Sequence, residues 1–166
     1  MDDKRRMVTR EGKTVTAREH EAIEILLVED DPLDLEMTLR ALDSDRVNNR
    51  IEVARDGEEA LDFLLRRGTH TGRSLESQPK LVLLDLKLPK IDGLEVLREI
   101  RARPETRTIP VVVLTSSAEQ RDIVETYRLG VNSYIQKPVD SVQFRQTVKA
   151  AGFYWLVVNR PPLVEA

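Results

Sequence analysis

The segment LVLLDLKLPKIDGLEVL, residues 81–97, contains the pattern that decides the fold. It opens with four consecutive apolar residues, and such a run is typical of a strand buried on both faces of a parallel sheet. Asp85 ends the run, and a short connection that contains a proline follows it. After Gly93, apolar residues recur at helical spacing, beginning with Leu94 and Leu97. The segment therefore predicts a buried strand, a connection and an amphipathic helix.

The same alternation of strand and helix continues on both sides of this segment. The further predicted strands span residues 25–28, 51–53, 109–114 and 134–135. A helix follows each strand, and the last helix runs from about residue 139 to residue 158. Strands two and five are shorter and more mixed than the others, which suits sheet edges. With right-handed crossovers, the pattern predicts an α/β protein with a flavodoxin-like, doubly wound, five-stranded parallel sheet of order 2-1-3-4-5 and helices on both faces.

Composition excludes several classes of function. The 166-residue chain is 40% apolar and 33% charged, which predicts a globular protein with one sizeable core. Its formal net charge of −3 gives no general attraction to nucleic acid or anionic membranes, and no apolar run is long enough for a membrane helix. Cysteine is absent, which excludes disulfides and thiolate chemistry. We expect a cytoplasmic protein with no nucleic-acid or membrane partner.

We expect three parts along the chain. Residues 1–22 are poor in apolar residues and predict a flexible or weakly helical leader, with a partner-binding arm or a cloning remnant as alternatives to a leader without dedicated function. Residues 23–160 form the domain with its long final helix, and residues 161–166 form a tail. Since little chain follows the fifth strand, we expect no DNA-binding or catalytic output domain, and output by protein contact.

Polar side chains gather where the predicted strands end. They are Glu29, Asp30 and Asp31 after strand one, Asp85 after strand three, Thr115, Ser116 and Ser117 after strand four, and Lys137 after strand five. Carboxyl ends of parallel strands meet at one edge of a sheet, and ligands of this fold bind there between strands one and three. The sequence therefore predicts one site built from four distant segments.

The residue types at this edge indicate phosphoryl chemistry. Clustered carboxylates repel one another unless a cation intervenes, and oxygen ligands without cysteine favour a hard ion such as Mg²⁺. A carboxylate beside such an ion can attack phosphorus, which makes Asp85 the expected nucleophile. Lys137 and Thr115 can then neutralise the charge that spreads over the transferred group. The hypothesis is an aspartyl phosphate on Asp85.

Each of these residues also has an ordinary structural interpretation when it is taken singly. Asp31 precedes Pro32 and could cap the first helix, an interpretation of equal weight to a role in the site. A Lys-Pro pair commonly forms a turn, and a threonine after a strand is commonly a surface hydroxyl. Their joint placement at successive strand ends favours the functional interpretation.

Four motifs resemble the receiver domain of bacterial two-component response regulators, the CheY-like family. They are ILLVEDDP, LVLLDLKLPKIDGLEVL, IPVVVLTSS and SYIQKPVD, in this order and spacing, and the resemblance covers about residues 23–150. It implies phosphoryl transfer from a histidine kinase to Asp85, followed by autodephosphorylation, with Mg²⁺ or Mn²⁺ as cofactor. The protein would be a switch and not a conventional enzyme.

The resemblance also implies roles for individual residues. The metal ligands would be Asp30 directly, Glu29 through water, Asp85, and the backbone carbonyl of Lys87. Thr115 would be the switch hydroxyl, Lys137 the lysine that contacts the phosphoryl group, and Tyr134 the aromatic residue that rotates inward. The Lys137–Pro138 peptide bond would be cis.

A closer resemblance is to the small regulators paired with bacterial phytochromes. The long polar segment 66–80, the runs DLKLPKIDGLEVL and YRLGVNSYIQKPVD, and an aromatic-rich final helix are similar to theirs. The kinase would then be a light-sensing histidine kinase. Lys87 stands two residues after the nucleophile, where receivers vary, and we hypothesise that its charge alters the lifetime of the phosphoryl group.

The final helix is apolar most of the way round near its end. Residues expected to face the core are Phe144, Val148, Ala151, Trp155 and Val158. Residues on other faces are Phe153, Tyr154, Leu156 and Val157, which we expect to form a homodimer interface together with helix four and strand five. A C-terminal segment that folds back on its own domain is the alternative.

Two other functions are alternatives to the phosphoacceptor switch. A phosphatase of the haloacid-dehalogenase type also uses a strand-end aspartate and Mg²⁺, but it typically needs a second acid where this chain has Lys87. A phosphorylation-independent adaptor would not need the complete set formed by the acidic pair Glu29 and Asp30 with Asp85, Thr115 and Lys137. The sequence therefore favours the phosphoacceptor switch over both.

Overall fold

The computed structural model describes residues 23–43 and 50–162. The expected leader, residues 1–22, lies outside the described residues, and so does most of the expected tail, residues 163–166. In the described parts no helix is both long and apolar enough to cross a membrane.

The predicted sheet and its strand order are confirmed. The strands are β1 Ile25–Val28, β2 Ile51–Ala54, β3 Leu81–Leu84, β4 Val111–Thr115 and β5 Ser133–Gln136, in the order β2-β1-β3-β4-β5. All neighbouring strands are parallel, and Val28 pairs with Leu84 at the carboxyl ends of β1 and β3. The three central strands are buried throughout, whereas β2 and β5 are mostly half-buried, as expected for edges.

Helices follow the strands and begin at acidic caps. They are α1 Pro32–Leu42, α2 Gly57–Leu64, α3 Gly93–Ala102, α4 Gln120–Arg128 and α5 Ser141–Phe153. The N-caps whose carboxylates accept backbone N–H groups of the first turn are Asp31, Asp56, Asp92 and Asp140. Such caps satisfy N–H groups that have no partner within the helix. They fix where these four helices start relative to the strand before them.

The core has two layers, one on each face of the sheet. Leu26 and Val28 of β1 point into the layer formed with α2 and α3, while Ile25 and Leu27 point into the layer with α1 and α5. Phe144 of α5 is almost fully buried in the second layer. Alternate side chains of one strand thus anchor helices on opposite faces, which confirms the doubly wound architecture.

The end of the final helix differs from the predicted regular helix. Residues Tyr154–Val158 form a π-helical turn in which the Asn159 N–H donates to the Tyr154 carbonyl at 2.7 Å. A π turn holds more residues than an α turn, so side chains after Phe153 leave the spacing on which the prediction relied. Val158, expected in the core, is therefore 54% exposed.

The Lys137–Pro138 peptide bond corrects another expectation. It is trans, since the described residues contain no cis peptide bond. The tertiary amide before proline lowers the cost of the cis form but leaves the trans form favoured.

Candidate functional site

The carboxyl ends of β1 and β3 bring two acids together. The Asp85 N–H donates to the Val28 carbonyl at 3.1 Å, and the Glu29 N–H donates to the Ala54 carbonyl at 3.0 Å. These bonds extend the parallel ladders one residue beyond the strands. Glu29 and Asp85 are consequently buried side by side, while Asp30, the residue after Glu29, is exposed.

Lys137 follows the edge strand β5 and reaches the acids at the ends of β1 and β3. Its backbone N–H donates to the Thr115 carbonyl at 2.7 Å, which aligns the end of β5 with the end of β4. Its ammonium lies 2.7 Å from Glu29 Oε2, 2.8 Å from Asp34 Oδ2 and 3.1 Å from Asp85 Oδ2. An ammonium has three N–H donors, and three carboxylates accept from this one.

Asp34 is the site residue that the sequence analysis missed. It lies in the first turn of α1, directly after the acidic end of β1. An acid there has an ordinary explanation, because negative charge near a helix N-terminus is stabilising. Its spacing could have indicated the role. Asp34 lies about one helical turn after the acids that end β1, and this turn brings its carboxylate back over them.

Burial and charge act on the protonation of the pair formed by Glu29 and Lys137. Burial raises the pKa of Glu29 to about 7, and the hydrogen bond from Lys137 opposes this only in part. Burial alone would lower the pKa of Lys137, but its hydrogen bonds to Asp34 and Glu29 raise that pKa above the ordinary value. Lys137 therefore stays charged, and one ammonium faces several carboxylates whose repulsion it relieves only partly.

The arrangement of oxygens fits a divalent cation. One carboxylate oxygen from each of Glu29, Asp30 and Asp85 lies within 4.8 Å of the others. Carboxylates are the ligands that Mg²⁺ and Mn²⁺ favour, and a cation would remove the repulsion that Lys137 leaves. Lys87 contributes a backbone N–H that donates to Asp85 Oδ1 at 3.4 Å, and its side chain is exposed. A metal contact from its carbonyl stays a prediction.

Asp31 is the N-cap of α1, as the structural interpretation of this residue predicted. Its Oδ1 accepts from the N–H groups of Leu33 at 3.0 Å and Asp34 at 2.9 Å. Its own N–H donates to Glu29 Oε1 at 3.1 Å, so its backbone also helps to orient the buried acid. The third acid of the run thus positions α1 and Glu29 and lies outside the group that fits a cation.

Thr115 and Tyr134 meet at the loop after β4. Thr115 is fully buried, and its Oγ1 accepts from the Ser117 N–H at 3.3 Å. The Tyr134 hydroxyl donates to the Ser117 carbonyl at 2.9 Å, and the Ser117 hydroxyl donates to Asp122 at 2.6 Å. Ser117 therefore links the predicted switch hydroxyl, the predicted switch aromatic residue and the first turn of α4.

The residues expected at a dimer interface lie at the end of the final helix. Phe153, Tyr154 and Val157 are each about half exposed, at 49%, 48% and 52%. Leu156 instead packs in part against the core layer on its own side of the sheet. Three of the four residues thus form an apolar surface together with Val158.

A doubly wound sheet with an acidic cluster, a buried lysine and a buried threonine at its carboxyl edge defines a CheY-like receiver, the phosphoacceptor class of two-component signalling. The family model for the response regulator receiver domain matches residues 25–149. The chain belongs to this family. Its members receive their signal from histidine kinases and generally act as switches, with phosphorylation on an aspartate.

Three similar proteins illustrate the range of the family. A probable methanogenesis regulatory protein, FilR2 from Methanothrix harundinacea, is 46% identical over 83% of this chain and 86% of its own length. The phosphorylated cyanobacterial phytochrome response regulator RcpA superposes with a TM-score of 0.80 at 40% identity, covering 86% of this chain and 99% of RcpA. The bacteriophytochrome response regulator RtBRR is 50% identical with a TM-score of 0.67, over 86% of both chains.

Proposed function

We propose that Asp85 accepts a phosphoryl group from a histidine kinase, and that Glu29, Asp30 and Asp85 hold Mg²⁺ or Mn²⁺ for this reaction. The observation that carries the proposal is the Lys137 ammonium, which lies 3.1 Å from Asp85 Oδ2 in the middle of the acidic group. A buried lysine there supplies the positive charge that a phosphoryl group on Asp85 needs. The bound cation would supply further neutralisation of the phosphoryl oxygens.

The transfer carries the phosphoryl group from a histidine side chain of the kinase to the Asp85 side chain. A carboxylate oxygen of Asp85 forms a bond to phosphorus, the bond from phosphorus to the kinase histidine breaks, and the imidazole nitrogen leaves with its electron pair. Lys137 stabilises the oxygens of the transferred group, and the Lys87 N–H helps to hold the Asp85 carboxylate in place. Hydrolysis of the aspartyl phosphate by water, which the domain catalyses on itself, resets the switch.

The response of the fold follows from the residues around Ser117. We expect the Thr115 hydroxyl to turn toward the phosphoryl group, which removes the acceptor that the Ser117 N–H now has. Since Tyr134 is bonded to the Ser117 carbonyl, movement of this loop releases its hydroxyl and lets the ring rotate inward. The charge on Asp85 is thereby converted into a change of the surface formed by α4, β5 and α5.

Output through protein contact is supported by the exposed apolar end of the final helix. A homodimer that buries Phe153, Tyr154 and Val157, with α4 and β5 alongside, would remove this surface from water. Leu156, half-buried against its own core, would hold the surface in position.

The dimer has a direct test in solution. In multi-angle light scattering over a range of concentrations, the protein should shift from monomer to dimer mass, and Tyr154→Ser with Val157→Ser should stay monomeric because the shared apolar area is lost. Leu75→Ser is the matched control, since Leu75 is 44% exposed on the segment between α2 and β3. A wild-type protein that remains monomeric at every concentration would remove the dimer from the proposal.

We infer that the kinase is phytochrome-type and that the protein works in the cytoplasm. RcpA, a cyanobacterial phytochrome response regulator, and RtBRR, a bacteriophytochrome response regulator, support the first point, whereas FilR2 is a probable methanogenesis regulatory protein. The segment 66–80, a further point of resemblance, packs on α2: the Arg73 guanidinium lies 3.4 Å from the centre of the Phe63 ring and donates to the Phe63 carbonyl. Phosphotransfer profiling against several kinases would identify the partner.

Lys87 gives a prediction for the lifetime of the phosphoryl group. Its backbone N–H donates to Asp85 Oδ1, and its charged side chain, two residues after the acceptor, is exposed. In Lys87→Asn the cation near the phosphoryl group is absent, and we expect dephosphorylation to change severalfold, since surface charge effects on such a step are of order 1 kcal/mol. The decay of phosphoprotein after removal of the donor measures this. Equal decay rates in both proteins would refute the role of Lys87.

Acetyl phosphate with Mg²⁺ tests the function as a whole. The wild-type protein should gain the mass of one phosphoryl group, and chelation of the metal should prevent the gain. Steady turnover of a phosphomonoester would instead favour the phosphatase alternative, which Lys87 argues against. No gain in mass would favour the phosphorylation-independent adaptor.

A further inference from the structure

Asp34, the first acid within α1, is placed to act on Lys137. The Lys137 ammonium donates to Asp34 Oδ2 at 2.8 Å, which lies between its 2.7 Å bond to Glu29 and its 3.1 Å bond to Asp85. The Lys137 side chain is only 7% exposed, so water does not offer it a ready replacement for a lost carboxylate. Asp34 therefore supplies one of three bonds that fix the ammonium.

The three carboxylates that accept from Lys137 differ in their other roles in the site. Glu29 and Asp85 belong to the oxygens that fit a divalent cation, and Asp85 is also the proposed acceptor. Asp34 is outside that group, and its carboxylate has Lys137 as its ion-pair partner within the described parts of the chain. Asp34 is thus the partner whose bond to Lys137 does not compete with the chemistry of the site.

The backbone of Asp34 is itself held firmly. Its N–H donates to the Asp31 cap at 2.9 Å, and its carbonyl accepts from the Thr38 hydroxyl at 2.7 Å. Thr38 is fully buried, so the first turn of α1 is tied to the core. The backbone that carries the Asp34 carboxylate is therefore anchored to both the cap and the core.

We propose that Asp34 is a positioning residue that holds the Lys137 ammonium within reach of the phosphoryl group on Asp85. The inference rests on the proposed function of Asp85 and adds to it a residue outside the acceptor and the cation ligands. It differs from a role in metal binding, because removal of Asp34 leaves the group of Glu29, Asp30 and Asp85 intact.

Two measurements test this with Asp34→Ala. The rate of mass gain from acetyl phosphate and Mg²⁺ should fall by about tenfold, because the Lys137 ammonium is no longer held where it stabilises the transferred group. Isothermal titration calorimetry should give a Mg²⁺ affinity within about twofold of wild type, since no cation ligand is changed. Glu36→Ala is the control, because Glu36 is an acid of the same helix that pairs with Arg40 on the surface.

A double-mutant cycle with Lys137→Ala separates positioning from a structural effect. In the Lys137→Ala background, Asp34→Ala should cause no further loss of rate. An equal loss in both backgrounds, or an unchanged or faster rate in the single Asp34→Ala variant, would overturn the inference.

A third measurement, which needs neither metal nor phosphoryl donor, observes the Lys137 ammonium directly. In a ¹H–¹⁵N correlation spectrum of lysine ammonium groups, Lys137 should give a slowly exchanging signal that is present in wild type and lost in Asp34→Ala. If the wild type gains no phosphoryl group, the proposed function fails, while the signal still decides whether Asp34 holds Lys137. Retention of the signal in Asp34→Ala would overturn the inference.

Discussion

The Asp85→Asn variant should gain no phosphoryl mass from acetyl phosphate and Mg²⁺ under conditions that fully modify the wild-type protein. An amide oxygen at this position lacks the negative charge needed to attack phosphorus, so the expected loss is complete and not partial. Intact-mass spectrometry after identical incubation measures the difference, and peptide mapping of the wild type should place the group on Asp85.

The fold should survive this change. Lys137 keeps Glu29 and Asp34 as partners, and the repulsion between Asp85 and Glu29 disappears. The Asp85 N–H bond to Val28, which positions the residue, is a backbone bond that the substitution leaves unchanged. A loss of phosphorylation in Asp85→Asn therefore reports on chemistry and not on unfolding.

Asp92→Asn is a matched control for Asp85→Asn. Asp92 caps α3 by accepting from the Glu95 N–H at 3.0 Å, and asparagine is an equally good N-cap. This variant makes the same chemical change on the same strand-to-helix connection, and it should be phosphorylated like the wild type. If Asp85→Asn were phosphorylated as fully as Asp92→Asn, the acceptor would have to be another residue.

The sequence predicted the sheet because its strands differ in burial. Leu81–Leu84 is apolar at every position and Val111–Thr115 is apolar up to its final residue, whereas Ser133–Gln136 mixes polar and apolar residues. Burial on both faces excludes an edge position, and crossover handedness then leaves few arrangements. The gathering of Glu29, Asp85 and Lys137 followed from that strand order, because the carboxyl ends of parallel strands share one edge.

The features that escaped prediction depend on geometry that residue spacing does not encode. Asp34 joined the site because the first turn of α1 folds back over the end of β1, and an acid in that turn looks like an ordinary helix-end residue. The exposure of Val158 resulted from a π turn, which changes the angle between successive side chains. In both cases the residue type was compatible with the wrong placement.

Gly93 links the stability of the fold to the position of the acceptor. Its N–H donates to the Leu86 carbonyl at 2.8 Å, which brings the start of α3 against the residue that follows Asp85. A Cβ at Gly93 would lie 2.2 Å from the Asp85 carbonyl oxygen and 2.5 Å from Leu86 Cα. All of these neighbours are backbone atoms, so no side chain can move aside to make room.

Gly93→Ala should therefore lower the free energy of unfolding by about 2–3 kcal/mol, the upper part of the range for overpacked sites. Urea denaturation of the metal-free protein measures this. The same clash displaces the backbone of Asp85 and Leu86 or the start of α3, so phosphorylation by acetyl phosphate should also be slower at temperatures where the variant is folded, since small misplacements of reacting groups are costly.

Alanine substitutions at two other glycines show whether the effects of Gly93→Ala come from the clash beside Asp85. Gly72→Ala places a Cβ in open space, with nothing within 4 Å, and should change stability by no more than about 0.5 kcal/mol. Gly57→Ala would meet the Ile91 carbonyl oxygen at 1.9 Å, so it should destabilise the fold without pressing on Asp85 itself. If Gly93→Ala unfolded like Gly72→Ala, the close approach of α3 to the acceptor strand would be wrong. If Gly93→Ala lost stability but was phosphorylated at the wild-type rate, the clash at the start of α3 would not displace the backbone of Asp85.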